Sequence, residues 1–273
     1  MGRAIIGNVA AMKEYRVRRN KEPVALPGNA GQNPIMMTLP KPYYSAEGIT
    51  IYHGDCREIL PYLEPVDLVL TDPPYNFESK GGGFYGNWHG GGHEARKYIG
   101  DLDSLGCCSY EPLEVLNILP SKYGYFFCNK TLLCKYIQYS EKNSLLFDVH
   151  VMHKTNPIPA KNSHFLHDLE YIVLIRPQGS FFNPNKSFKN YSKFFTTICK
   201  PNNLHPAEKP VALMKKYIDV SLNENGTVLD PFMGSGTTLV AAKQLGRKAI
   251  GIEISEKYCA VAVDRLRQKV LPL

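Results

Sequence analysis

The sequence predicts an α/β fold, a mostly parallel twisted sheet with helices on both faces, on three observations. Val66, Leu68, Val69 and Leu70 form an apolar run without strict alternation, the mark of a strand covered on both sides. Residues 226–254, GTVLDPFMGSGTTLVAAKQLGRKAIGIEI, read as strand, glycine turn, helix and strand, a single βαβ unit. Strand-like and helix-like segments alternate along most of the chain, which is how a sheet between two helix layers is connected.

The regular signals begin near residue 48. Residues 48–55 (GITIYHGD) read as a strand ending on Asp55, and 56–63 (CREILPYL) as a short helix. The strand at 66–71 stops at Asp72-Pro73-Pro74-Tyr75. Neither proline can donate to a ladder, and each forces its predecessor into an extended conformation. Residues 78–100 hold too many glycines for regular structure, and a loop of that length in a compact domain is expected to be functional. It follows the proline stub directly and carries Phe84, Tyr85, Trp88, Arg96 and Lys97, so a mobile lid is expected. A strand at 122–129, a helix at 130–142 and strands at 146–154 and 169–176 come next, the last two joined through the proline-rich turn TNPIPAKN.

Residues 177–207 contain no acid and mix Lys186, Lys189, Lys193 and Lys200 with Phe181, Phe182, Phe188, Tyr191, Phe194 and Phe195. Cations neutralise phosphates and rings stack on bases, so the mixture suits a nucleic-acid surface; the plainer alternative puts half of those rings in the core. Residues 208–222 read as a helix with Pro210 in its first turn and Val211, Met214, Ile218 and Leu222 along one stripe. The βαβ unit follows, its helix closed by Gly246, and a last helix spans 255–269. Residues 1–45, basic at first and then rich in Pro, Gly and Asn, are expected to be a flexible tail, with one folded domain over 46–273.

Composition excludes several classes. Hydrophobic residues make up 44% and charged residues 21%, an ordinary globular mix. No apolar run nears the roughly 20 residues that span a bilayer, so no membrane partner is expected. The seven cysteines are scattered without a CxxC pair, which points to reduced thiols in a cytoplasmic setting and to no structural zinc. His89 and His93 lie in HGGGH rather than on a helix face, and no metal site is expected there. The net charge of +7 is compatible with a polyanionic partner but is weak evidence by itself.

Two motifs carry chemistry. The Asp72-Pro73-Pro74-Tyr75 stub puts one carboxylate, stiffly held carbonyls and a ring at the carboxyl end of a strand, the edge where open α/β sheets bind ligands. In the second, Gly234 and Gly236 allow close backbone approach, and Glu253 lies about 20 residues on, the separation at which an acid bonds ribose hydroxyls. The GxGxxG spacing of dinucleotide folds is absent, as is the lysine of a phosphate loop. The expected ligand is therefore a nucleoside without a phosphate chain, which points to S-adenosylmethionine.

With both motifs in hand, residues 48–270 closely resemble the amino-methylating DNA methyltransferases, which act on the exocyclic nitrogen of adenine or cytosine. Asp72-Pro73-Pro74-Tyr75 matches their catalytic tetrapeptide, Asp230 to Gly236 (DPFMGSG) their cofactor loop, Glu253 their ribose acid, and HPAEKP, His205 to Pro210, the motif just before that loop. The order, catalytic motif first, is that of the beta group, a circular permutation of the usual layout. The resemblance implies a Rossmann-like methyltransferase fold with target recognition at 177–204 and cofactor binding within 205–273. It implies that Asp72, Pro73, Pro74 and Tyr75 are catalytic, and that Lys209, Asp230, Phe232, Gly234, Ser235, Gly236, Thr237 and Glu253 bind the cofactor. Asp55 falls where the family suggests contact with cofactor or amine, although a plain cap at a strand end is the open alternative. Trp88, Arg96, Lys186, Lys189 and Lys193 are the expected DNA contacts.

The expected partner is double-stranded DNA, with a homodimer and a cognate restriction endonuclease carried over from the family, and the expected setting is cytoplasmic and nucleoid-associated, the protein being prokaryotic or phage-encoded. Family members acting on adenine N6 usually have Asp at the first tetrapeptide position, and those acting on cytosine N4 more often Ser. Asp72 therefore favours adenine. Enzymes methylating glutamine in release factors look similar, but typically carry Asn there and place the cofactor loop upstream, unlike this chain.

Overall fold

The computed structural model describes residues 39–74, 112–157, 165–198 and 208–268. In chain order these form strands β1 (Tyr44–Ala46) and β2 (Ile49–His53), helix α1 (Cys56–Ile59), strand β3 (Leu68–Thr71), helix α2 (Pro112–Ile118), strand β4 (Gly124–Cys128) and helix α3 (Lys130–Lys142). Strands β5 (Leu146–Lys154), β6 (Leu169–Arg176) and β7 (Phe194–Thr197) come next, then helix α4 (Val211–Ser221). Strand β8 (Thr227–Asp230), helix α5 (Thr237–Gln244), strand β9 (Lys248–Glu253) and helix α6 (Glu256–Arg267) complete the described chain.

The strands make one sheet in the order β1-β2-β9-β8-β3-β4-β6-β5-β7. Pairing from β2 through β4 is parallel throughout, β6 runs antiparallel to both of its neighbours, and β7 joins β5 in parallel at one edge. Every residue of β3 and β4 is buried, which is why these stretches read as unbroken apolar runs. Within β3, Leu68 and Leu70 join the core under α4, α5 and α6, while Val69 joins the core under α1, α2 and α3. The predicted three-layer α/β architecture is thus observed.

Strands β3 and β8 are neighbours, yet β8 continues through α5 to β9 on one side while the strand after β3, β4, lies on the other. Such a reversal opens a crevice beyond the carboxyl ends of the two strands. Both chemical motifs leave the sheet there, Asp72 directly after β3 and the glycine turn directly after β8.

Several details differ from the sequence reading. Strand β1 begins inside the segment expected as tail, pairing Tyr44 with Ile51. Helix α2 and edge strand β7 were not anticipated: α2 is only two turns long, and the alternation in β7 is hidden in an aromatic cluster. Pro210 is the cap before α4 rather than part of its first turn, and its carbonyl accepts from the amides of Leu213 and Met214. The buried face of α4 is wider than the predicted stripe, adding Leu213, Tyr217 and Val220, because the helix is covered by more than the sheet. Gly246 does close α5, with φ of +66° and its amide bonded to Lys243.

Under α4, His150 packs edge-on against Tyr125 and Tyr217, which stack on each other with centroids 4.1 Å apart. Its Nδ1 makes no hydrogen bond. Burial lowers its pKa to about 4, with Lys216 and Lys193 adding to the fall and Asp148 opposing it. A folded pKa below the ordinary 6.5 means stability fully present above pH 6.5 and lost as pH falls towards 4. Relative to His150→Phe, the wild-type chain is expected to lose on the order of 3 kcal/mol of stability across that window. Thermal melts of both proteins from pH 7 to pH 4 check this; parallel pH dependence contradicts it.

Candidate active site

Asp72 sits one residue beyond β3, at the mouth of the crevice. Its Oδ2 lies 2.5 Å from Nζ of Lys209, whose side chain is only 8% exposed. The same ammonium lies 3.2 Å from Oε2 of Glu170 on β6 and 5.2 Å from the centre of the Phe127 ring on β4. Burial alone pushes the Lys209 pKa down, but the two carboxylates, Asp72 first, more than offset it and hold the amine above its ordinary value. Burial likewise opposes ionisation of Glu170, yet Lys209 and Lys154 hold its carboxyl below the usual range. Lys154, on β5, pairs with the other oxygen of Glu170. Four charges of alternating sign thus run Lys154–Glu170–Lys209–Asp72 along the carboxyl edge of the sheet.

The end of β8 is tied to the end of β3 by Asp230. Thr71 donates to its Oδ1 at 2.7 Å, Thr238 to its Oδ2 at 2.6 Å, and the Phe232 amide to Oδ1 at 3.2 Å. Burial pushes its pKa up to about 6. Asp230, expected among the cofactor contacts, has both oxygens engaged by its own chain, which fixes the glycine turn relative to the Asp72 stub.

In that turn Gly234 and Gly236 adopt φ of +51° and +80°, left-handed values that favour glycine. A Cβ on Gly236 would also come within 2.8 Å of the Ala262 Cβ, so the turn can lie this close to α6 only with glycine there. Arg265 on α6 braces the turn, donating to the Ser235 carbonyl and hydroxyl at 2.8 Å each and to the Thr237 hydroxyl at 3.2 Å. Its other nitrogen meets Glu208 at 2.5 Å. Glu208 and Lys209, adjacent in the HPAEKP stretch, therefore hold Arg265, the brace of the glycine turn, and Asp72 respectively.

Glu253 ends β9 beside the turn. It accepts from the Gly234 amide at 2.9 Å and the Ser255 amide at 2.8 Å, one on each oxygen. Each oxygen keeps a lone pair for a further donor, as a ribose diol requires. Burial raises its pKa to about 7, with Asp230 adding to the rise. A close-approach glycine turn, a carboxylate acceptor and a guanidinium already paired with Glu208 suit a neutral nucleoside better than a phosphate chain. The site thus fits the ligand class expected from the sequence.

The remaining expected site residues divide. Asp55 caps α1, accepting from the Arg57 amide at 2.8 Å, and pairs with the Arg57 guanidinium, which holds its carboxyl low against the effect of burial. Of its two open readings, the cap is what the structure shows. Lys209, expected as a cofactor contact, lies against Asp72. Lys186 pairs with Asp219 at 2.7 Å and Lys193 with Asp148, leaving Lys189 without an ion-pair partner among the described residues. Of the rings, Phe188 is almost wholly exposed, Phe195 packs against the core, and Phe182 stacks on Tyr191. Tyr75, Trp88, Arg96 and the expected lid at 78–100 lie outside the described residues, as does His205.

Sequence reasoning missed Glu170, Glu208, Arg265 and the two threonines on Asp230. Glu170 had a signal: it is the one acid in the otherwise apolar run LEYIVLI. The others look like ordinary surface or helix residues until the chain is folded.

Comparison with known proteins adds to this geometry. The family model described as DNA methylase matches residues 66–264. The chain is similar to the Type II methyltransferase M2.LlaDCHI of Lactococcus lactis subsp. cremoris, 29% identical over 264 residues that cover 86% of this chain and 94% of that one. It is similar to M.HinfI of Haemophilus influenzae, 30% identical over 246 residues covering 80% and 68%. The crystal structure of an M1.HpyAVI–SAM complex aligns with a TM-score of 0.56 at 28% identity, over 81% of this chain and 100% of the other. The cytosine-N4-specific PvuII DNA methyltransferase aligns with a TM-score of 0.62 at 18% identity over 85% and 91%, a likeness of fold alone.

Proposed function

The chain belongs to the N6/N4 DNA methylase family, and from that premise we propose that it is a site-specific DNA methyltransferase moving a methyl group from S-adenosylmethionine to the exocyclic N6 amine of a flipped-out adenine. The observation that carries this reading is the placement of Asp72, held by a buried lysine at the strand switch, beside a glycine turn closed by Glu253.

S-adenosylmethionine, when bound, supplies a methyl group on a sulfonium. Phe232, Gly234, Ser235, Gly236 and Thr237 line its place, and Glu253 accepts its ribose hydroxyls. The target amine is a poor nucleophile because its lone pair is delocalised into the ring. Asp72 accepts one of its N–H bonds and the Pro73 carbonyl the other, which holds the nitrogen pyramidal with its lone pair aimed across the crevice. Pro74 stiffens the stub and Tyr75 stacks on the base. Positioning and compensation of the charge appearing on nitrogen matter here more than a strong base. Inside a duplex the amine is out of reach, so the base leaves the stack at a cost of about a few kcal/mol, recovered by stacking and hydrogen bonds. Lys189 with Phe188 offers one outward contact for the strand, and Trp88, Arg96, Lys186 and Lys193 complete the proposed DNA surface.

The adenine assignment rests on Asp72 at the first position of the tetrapeptide. Incubating the protein with unmethylated duplex DNA and labelled cofactor, then digesting and weighing the nucleosides, tests it. N6-methyladenine is the expected product. N4-methylcytosine keeps the mechanism and overturns the base; cofactor binding with no DNA product overturns the DNA substrate. The Type II names of its relatives favour a restriction–modification setting with a cognate endonuclease.

Because protonation puts an O–H on a Glu253 oxygen that already faces a backbone N–H and must meet ribose donors, cofactor affinity should rise as pH increases through about 7. Below that pH the Kd is expected to climb by up to about tenfold per unit. Titration calorimetry between pH 6 and 8 checks this, with Glu253→Gln expected to bind weakly and without the pH dependence.

A further inference from the structure

Lys209 is a buried cation with two carboxylates, and only one of them belongs to the proposed catalytic stub. Asp72 stands 2.5 Å from the ammonium, and were it the sole partner the two charges would cancel. The carboxylate would then be a poor acceptor for a neutral amine. Glu170 changes this, because its Oε2 draws on the same ammonium at 3.2 Å from the opposite strand neighbourhood. Its Oε1 is engaged by Lys154 at the more exposed end of the row, so it cannot turn away from Lys209 without abandoning that pair.

We propose that Glu170 is a positioning residue for methyl transfer: by sharing Lys209 it keeps Asp72 aimed into the crevice and leaves its carboxylate negative enough to hold the amine. The inference rests on the reading that Asp72 accepts the target amine. The row Lys154–Glu170–Lys209–Asp72 is neutral as a whole, so it does not oppose the positive charge that develops on nitrogen during transfer. With Glu170 uncharged the row carries one net positive charge, which opposes that developing charge although every group touching the substrate is still present. The plainer role, a second counter-ion that merely keeps a buried lysine content, predicts lost stability with unchanged turnover per folded molecule.

The test is Glu170→Gln and Glu170→Asp beside wild type, each assayed for kcat, for the KM of DNA and cofactor, and for thermal midpoint. Glu170→Gln keeps the shape and removes the charge; a kcat lower by about tenfold or more is expected, with both KM values within about twofold. Glu170→Asp keeps the charge and is expected to retain kcat within about threefold. Wild-type kcat in the Gln variant overturns the proposal, as does an equal fall in both variants, which would make shape rather than charge the cause. An insoluble Gln variant beside a fully active but less stable Asp variant assigns Glu170 to stability and overturns it too. A wild-type chain that methylates no DNA removes the functional reading and this inference together, whereas an active wild type with an indifferent Gln variant removes this inference alone.

Discussion

Asp72→Ala is expected to bind S-adenosylmethionine about as tightly as the wild-type chain while losing methyl transfer by at least about a thousandfold. The expectation follows from where the residue stands. Asp72 lies past the end of β3, outside the sheet ladder and outside both halves of the core, so its truncation opens no apolar cavity. Lys209 keeps Glu170 as a counter-ion, so no buried charge is orphaned. The glycine turn is held by Arg265 and Glu253 and by the grip of Asp230 on Thr71 and Thr238, none of which needs the Asp72 side chain. What disappears is the acceptor that holds the amine and answers the charge forming on it. Asp72→Asn, which keeps the shape but not the charge, should fall nearly as far. Calorimetric cofactor binding together with labelled methyl transfer decides the matter, and transfer within tenfold of wild type would end the clamp mechanism.

Lys209→Met should be the most destabilising change at the site. It leaves the Asp72 and Glu170 carboxylates facing a position where a nearly fully buried ammonium stood. Removing one partner of such a cluster costs on the order of 3–5 kcal/mol, because the remaining charges lose their compensation. The pH window follows from the two shifts. Lys209 is raised above its ordinary 10.5, so its contribution is fully present below that value and lost as pH rises beyond the raised one. Glu170 is held below its ordinary 4.5, so its contribution is present above 4.5 and lost as pH falls through the lowered value. The cluster therefore stabilises fully at neutral pH. The deficit of Lys209→Met should shrink under acid, where the uncompensated Glu170 carboxylate takes up a proton. Urea unfolding of both proteins at pH 7 and pH 5 reads this directly; equal midpoints at pH 7 would mean that the row of charges contributes nothing to the fold. Transfer should fall as well, since Asp72 would lose the group that aims it.

The sequence by itself determined the layers, the strand that ends in the Asp72 stub, the glycine turn and Glu253. Those features are local. Proline forbids a ladder bond wherever it stands, glycine permits a positive φ in its own turn, and a fully buried strand advertises itself through unbroken apolar residues. Edge elements were less legible: β1 has three residues and β7 four, too few for a period to show.

Only the tertiary structure decided which charges meet. Asp230 and Thr71 stand 159 residues apart in the chain and 2.7 Å apart in space, and nothing in DPFMGSGTT says that its acid faces inward to two threonines rather than outward to a ligand. Asp55 and Asp72 look alike in sequence, each an acid just past a strand. The first is taken by Arg57 two residues on, while the second receives Lys209 from a distant segment. Burial then sets the ionisation of these groups, and burial depends on what the fold places over them. Local geometry follows from residue type; the pairing and protonation of buried charges depend on distances and solvent exclusion that exist only once the sheet has brought β3, β6, β8 and the start of α4 to one edge.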